Sequence, residues 1–372
     1  MTPETRAADA AEMAPSKGFD KRLAGWSRLP LIPVAVIIIA AAFIPLVVSN
    51  NYYLDVLILI LIYAILNQSW SFTIGIVGAW NFGQLGLYAI GGYAAGIAVV
   101  HLGFSPWLAF VIAPLVAAAA NLFIAIPSMR LRGVYVALLT FAFAEVLRLI
   151  ILNDNSGFTG GIFGLSVHSG LFDKLSLQMS ERAFYWLCLA LCVATALLIR
   201  RLTNSPFGLA FLALRDSPRY AVSLGINMRT YYVVATTFAA ALAGIAGALY
   251  VFKYSTIGPT VMGLGQLSFF LFMIMLGGLG TYSGPIIGTA LVVVFNEYLK
   301  NWGDWRLLIL GVVLLVVLIL LPRGLAPLLS RAAAEFGAWV NEDKKKTGVA
   351  SGEPATPTKT ASEESEADGE IV

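Results

Sequence analysis

Uninterrupted apolar runs recur along this chain, at about Leu31–Val48, Leu54–Ile76, Gln84–His101, Trp107–Ile126, Val134–Leu152, Ala183–Ile199, Tyr231–Phe252, Gln266–Leu279, Pro285–Leu299 and Trp305–Leu321. Most approach the ~20 residues that a helix needs to cross ~30 Å of hydrocarbon. Barrel strands would alternate apolar and polar positions, and these runs do not. The pattern predicts an all-α membrane protein, a polytopic bundle of about ten transmembrane helices, with eight to ten as the range. The range reflects Gln266–Leu279 and Pro285–Leu299, which are short and joined by Gly280-Thr281-Tyr282-Ser283-Gly284. They read either as two tilted spans or as a broken re-entrant pair. The first run begins too late and is too long for a cleaved signal peptide, so it is expected to be retained. Residues 1–29 and 323–372 are expected as tails around a membrane domain over 30–322. From Asn341 onward the sequence is rich in Ser, Thr, Pro, Glu and Lys, a disorder signature.

Composition agrees with the pattern. Hydrophobic residues make up 59% of the chain and charged residues 12%, against about 45–50% and about 25% in soluble domains. With ten spans, one side collects Arg130, Arg132, Arg200, Arg201, Arg215, Arg219 and Arg229, together with the basic residues of both tails. The other side receives Lys174, Arg182, Lys253, Lys300 and Arg306, offset by Asp154, Asp173 and Glu181. The positive-inside rule makes the first side cytoplasmic and puts both termini there. The net charge of +3 therefore reflects topology, and no nucleic-acid partner is expected. Cys188 and Cys192, four apart on one helix face, are expected as packing residues.

One polar segment, 203–230, is longer than a turn requires, since most connections run about 4–6 residues. Within it Ser217 can cap a helix that starts at Pro218, and Gly225 can close that helix in a left-handed conformation. Tyr220, Ala221 and Leu224 are expected to share one face of this two-turn helix, with Arg219 and Ser223 elsewhere. A short helix with a small apolar face suits a groove on a partner protein. The alternative is a basic loop that only fixes topology.

Polar residues inside the runs are candidates for a translocation path, because they are costly there. Asn67, Gln68, Asn81 and Gln84 either line such a path or make interhelical hydrogen bonds. Glu145 and Arg148, three apart, are read as a structural ion pair, with a substrate role for Glu145 as the alternative. The small-residue pairs Gly92 and Gly96, Ala243 and Gly247, Gly244 and Ala248, and Gly284 and Gly288 predict close helix packing. The chain has two histidines, no HExxH, no GxSxG and no phosphate-binding loop, so neither catalysis, a cofactor nor a bound metal is expected. Energy must come from a partner or a gradient.

An ordered series of motifs carries a resemblance over about Gly75 to Gly324. It comprises Gly83-Gln84-Leu85-Gly86, Gly91-Gly92-Tyr93, Leu131-Arg132-Gly133-Val134-Tyr135, Phe143-Ala144-Glu145-Val146-Leu147-Arg148 and Thr159-Gly160-Gly161. It continues with Ser205-Pro206-Phe207-Gly208, Leu224-Gly225-Ile226-Asn227, Ala243-Gly244-Ile245-Ala246-Gly247-Ala248-Leu249, Leu276-Gly277-Gly278-Leu279-Gly280 and Leu321-Pro322-Arg323-Gly324. In these the chain resembles the LivM-type inner-membrane permeases of branched-chain amino acid ABC importers. The resemblance implies a bacterial inner-membrane subunit working with a second related permease, two ATP-binding subunits and a periplasmic substrate-binding protein, in contact with membrane lipid. It implies a small-molecule substrate, a branched-chain or related amino acid, with urea and amides as alternatives in the same importer class. It also assigns ATPase coupling to Arg215, Asp216, Arg219, Ala221, Leu224, Gly225 and Asn227. The outer loop, Phe158–Arg182, would then offer a landing surface for the binding protein. A secondary carrier or channel is the rival class, disfavoured because acidic residues are scarce within the spans.

Overall fold

Within a bilayer every backbone N–H and C=O must find its partner inside the chain, and each apolar run that can be followed is a helix. The computed structural model describes residues 39–46, 50–131, 133–172, 175–281, 283–303, 305–320 and 324–325. The expected tails, including the stretch from Asn341 onward, and most of the first apolar run lie outside these residues. A helical stretch over 39–46 comes first. It is followed by α1 (Asn51–Ser71), which widens into a π-helical turn over Phe72–Val77. Then come α2 (Gln84–Val100), α3 (Pro106–Ser128), α4 (Val134–Leu152), α5 (Leu177–Thr203), α6 (Pro206–Asp216) and α7 (Pro218–Ser223). The series ends with α8 (Met228–Tyr254), α9 (Leu264–Gly277), α10 (Gly284–Tyr298) and α11 (Trp305–Leu320).

Among the described residues five helices are long and apolar enough to cross a membrane: Asn51–Val77, Pro106–Ser128, Val134–Leu152, Gln178–Thr203 and Met228–Tyr254. Helices α2, α9 and α10 are apolar but shorter. Among the described residues the only sheet is a two-stranded one, Leu165–Ser166 paired antiparallel with Thr256–Ile257, which ties the loop after α4 to the end of α8.

Helix α8 is the spine of the bundle and lies against α2, α3 and α1. Small residues allow this. The Gly91 face of α2 lies directly on Gly244 of α8, and a methyl group at Gly247 would come within 2.0 Å of the Tyr88 carbonyl oxygen. Gly244 also faces Ala113 and Ala117 of α3. Two of the expected small-residue pairs therefore serve one three-helix contact, in which dispersion between closely spaced backbones replaces larger side chains.

The α9–α10 hairpin packs along α1. At 14 and 15 residues the two helices extend only about 21–22 Å each. Their connecting turn, however, sets Gly280 against Gly75, and its N–H donates to Ser71 Oγ at 3.2 Å. At the other end, Glu297 accepts a hydrogen bond from Tyr52 at the start of α1. Helix α10 thus runs alongside most of α1, with its ends tied near Tyr52 and Ser71.

Candidate functional site

The segment expected as a polar docking loop contains two helices, and its first half is part of the bundle. Gly208, Ala210, Phe211, Leu212 and Leu214 of α6 are buried. Phe211 meets Phe72 and Tyr231 edge-on, each with ring centroids 5.9 Å apart. Phe72 belongs to the π-helical end of α1, so α6 is fastened where α1 loses regular geometry. Arg215 completes the attachment: its guanidinium donates to the Gly75 carbonyl and pairs with Asp216 at 2.9 Å, while its stem covers Gly78. Sequence reasoning grouped Arg215 and Asp216 with the coupling residues but gave no sign that the arginine is committed to α1. The contact joins residues 140 apart.

Helix α7 follows the expected frame, starting at Pro218 after Ser217. The Ser217 side chain makes no capping hydrogen bond, however. The far end is a full Schellman closure. Gly225 has φ of +85°, its N–H donates to the Val222 carbonyl at 3.0 Å, and the Ile226 N–H donates to the Ala221 carbonyl at 3.1 Å. Asn227 then caps α8, its Oδ1 accepting from the Arg229 and Thr230 amides at 3.1 and 3.4 Å. Gly225 and Asn227 therefore act as punctuation that fixes the angle between α7 and α8.

The expected shared face of Tyr220, Ala221 and Leu224 is not observed. Ala221 is fully buried, at 0% exposure, whereas Tyr220 and Leu224 are 66% and 65% exposed. Neighbouring residues on a helix point about 100° apart, while i and i+4 lie one above the other. Tyr220 and Leu224 thus form the outward pair, and Ala221 is the small residue that lets α7 rest on the protein, chiefly on α6. Arg219 is exposed on the same short helix.

A second group of polar residues sits in the centre of the bundle. Asn67, Gln68, Ser69, Asn81 and Gln84 are all buried. The Nδ2 of Asn67 donates to Thr289 Oγ1 of α10 at 2.7 Å, and the Nε2 of Gln68 points to Cys192 Sγ of α5 at 3.2 Å. The Nε2 of Gln84 donates to Ser69 Oγ at 2.9 Å and to the Ala239 carbonyl of α8 at 3.1 Å. Asn81 Oδ1 accepts from the Gly83 amide at 2.9 Å. Asn67, Gln68 and Ser69 are consecutive, so their side chains fan out, Asn67 to Met273 of α9 as well as Thr289 of α10, Gln68 to α5 and Ser69 to α2. The side-chain amide oxygens of Asn67, Gln68 and Gln84 have no partner among the described residues. Glu145 stands apart from this group. Its described hydrogen bonds go to Arg148, with Nε 3.0 Å from both carboxylate oxygens, and both side chains are 29% exposed.

Sequence reasoning passed over one cluster at the opposite end from α7. Lys253 of α8, only 7% exposed, pairs with Asp55 of α1 and Glu181 of α5. The available signal was a lysine at the end of an apolar run, which reads equally well as an interfacial anchor. Nearby, the loop after α4 is folded tightly around Asp154. Its carboxylate accepts from the Ser156 hydroxyl, from the Thr159 hydroxyl and amide at 2.6 Å each, and from the Ser156 amide at 2.9 Å. These bonds, with Ser156 foremost, hold the Asp154 carboxyl well below the usual carboxylate range.

Residues 52–318 match the family described as branched-chain amino acid transport system, permease component. The chain is 32% identical over 348 residues to the high-affinity branched-chain amino acid transport system permease protein LivM of Escherichia coli K12, covering 87% of this chain and 79% of that protein. It is 32% identical over 321 residues to the protein of the same name from Salmonella typhimurium, covering 80% and 75%. No solved structure matches it.

Proposed function

The chain belongs to the permease-component family of branched-chain amino acid transport systems, and on that premise we propose that it is a translocating subunit of an inner-membrane ABC importer for branched-chain or related amino acids. Two ATP-binding subunits, a second related permease and a periplasmic substrate-binding protein complete the importer. The chain supplies the passage and the coupling surface, and carries out no catalysis of its own.

The observation that carries this reading is the α6–α7 unit. Helix α7 turns an exposed Tyr220–Leu224 pair outward from a buried Ala221, as expected of a helix that drops into a partner's groove. It rests on α6, which is joined to the π-helical end of α1 through Phe211–Phe72 and Arg215–Gly75. Closure of the ATP-binding pair would displace α7, and α6 would carry the displacement to α1 as a rigid lever. The buried Asn67, Gln68, Asn81 and Gln84 cluster lies around α1 and the start of α2, where such a displacement would open a polar passage. Glu145, paired with Arg148 on α4, serves in that passage only if the pair separates. Arg219 adds positive charge beside the docking pair, and the basic end carrying α7 is cytoplasmic, as are both termini.

The test is to tag the protein in its native membrane, solubilise it gently and identify what co-purifies, in parallel with leucine uptake. Recovery of ATP-binding subunits and a second permease supports the reading. A protein recovered alone, with leucine uptake unaffected by its deletion, overturns it.

A further inference from the structure

The start of α2 is in an unusual place for a helix in a bundle. After α1 ends at Gly78, the chain turns back over Ala79–Gly83 and begins α2 at Gln84. Gln84 is level with Ser69 of α1 and Ala239 of α8. Those residues lie well inside their helices, so α2 begins in the protein interior. The first three amides of a helix have no intrahelical acceptor. Those of Gln84, Leu85 and Gly86 have none elsewhere among the described residues, and all three residues are buried. No side chain caps this end, since Asn81 is spent on the Gly83 amide.

A second observation stands at the same place. Gln84 is 0% exposed, and its Oε1 has no partner among the described residues. The two bonds from Nε2, to Ser69 Oγ and the Ala239 carbonyl, fix which end of the amide is which, because a carbonyl oxygen can only accept. Buried polar groups are almost always satisfied, and exceptions call for an explanation. Here three unmet donors belong to the first turn of a buried helix, and the unmet acceptor to its first residue. Gly83 and Gly86 contribute no side chains here, which lets α4 pack closely over this terminus. The Phe82 amide donates to Thr140 Oγ1 at 3.0 Å, and a methyl group at Gly86 would lie 3.2 Å from Ala144 Cβ.

We infer that the first turn of α2 binds the α-amino carboxylate of the translocated amino acid, an inference that rests on the importer reading above. The carboxylate takes the free amides of Gln84, Leu85 and Gly86, helped by the positive end of the helix dipole. The ammonium group, one carbon away, donates to Gln84 Oε1. Interior helix starts of this kind hold anionic substrate groups in membrane carriers. The structure holds the site shut, and separation of α4 from α2 at Thr140 and Ala144 exposes it.

The experiment uses the assembled importer with its binding protein in proteoliposomes. Gln84→Glu keeps a helix-compatible acid at the terminus but repels a carboxylate. It is expected to lower leucine uptake by about 10- to 100-fold, the range for losing charge-assisted hydrogen bonds, while the partner subunits still co-purify. Wild-type uptake with this variant overturns the site and leaves the importer reading intact. Loss of leucine uptake in the wild type overturns both. Hydrogen exchange on the unmutated importer gives an independent readout should the variant fail to assemble. Millimolar leucine should slow exchange in a peptide covering residues 84–86 and leucinamide should not, whereas equal exchange under both overturns the inference.

Discussion

The ammonium group of Lys253, near the end of α8, lies 2.5 Å from Asp55 Oδ1 on α1. It also pairs with Glu181 on α5, so one nearly buried cation joins three helices at the end remote from α7. Removing the cation leaves two carboxylates facing each other, whereas removing Asp55 leaves a cation that still has a partner. Lys253→Met is therefore expected to cost about 1–3 kcal/mol, reduced from the value for a fully buried pair because both acids are part-exposed. Asp55→Asn should cost less. Thermal unfolding of the two detergent-solubilised variants checks the order, and equal losses would sink the three-helix account.

Close packing of α2 on α8 makes a second expectation. At Gly247 an added methyl would meet the Tyr88 carbonyl oxygen, a backbone atom that cannot rotate away. Gly247→Ala is expected to destabilise by about 1–3 kcal/mol or more through overpacking. Gly265→Ala, where an added methyl meets nothing within 4 Å, is the control and should leave the melting temperature within a degree or two of the original.

Helix α7 separates fold from function in a way the variants can read. Leu224→Arg alters an exposed side chain and should leave thermal stability unchanged while abolishing co-purification of the ATP-binding subunits. Ala221→Arg forces a long cation into a fully buried position and is expected to lower stability as well as transport. Gly225→Pro removes the amide that donates to Val222 and forbids the positive φ, so it too should lose both. A Leu224→Arg protein that retains its partners would remove α7 as the docking element.

Asp154 makes a pH prediction. Its folded pKa is depressed by hydrogen bonds from Ser156 and Thr159, so ionised Asp154 favours the folded loop. That contribution is fully present above the ordinary aspartate pKa of about 3.9 and is lost only as pH falls below it, through the depressed value. Hydrogen exchange across residues 155–164 should therefore stay protected from pH 7 down to about pH 4 and rise below it. In Asp154→Asn, protection should be reduced across the whole range. A protected Asn variant would show that the glycine-rich backbone holds the loop without the carboxylate.

Much of this architecture is legible in the sequence because it is locally enforced. The boundaries of α4 coincide with its apolar run, and the frame of α7 from Pro218 to Gly225 follows from a residue that fixes φ and one that tolerates positive φ. The polarity of Asn67, Gln68 and Gln84 within apolar runs was likewise enough to mark them. Other features depend on residues far apart in the chain, and no local pattern encodes them. Helix α6 reads as part of a polar loop until Phe211 is seen against Phe72, and Arg215 reads as a free surface charge until it is seen on Gly75. Ala221 turns inward because α6 lies beneath it, a direction that spacing alone assigned wrongly. The sequence by itself determined that the chain is a bundle of membrane helices, since hydrocarbon permits the backbone little else. The tertiary structure alone decided how deep in the bundle the first turn of α2 lies, which arginine became a strut and which lysine a three-helix clasp, because a buried charge or free amide takes its meaning from whatever the fold brings beside it.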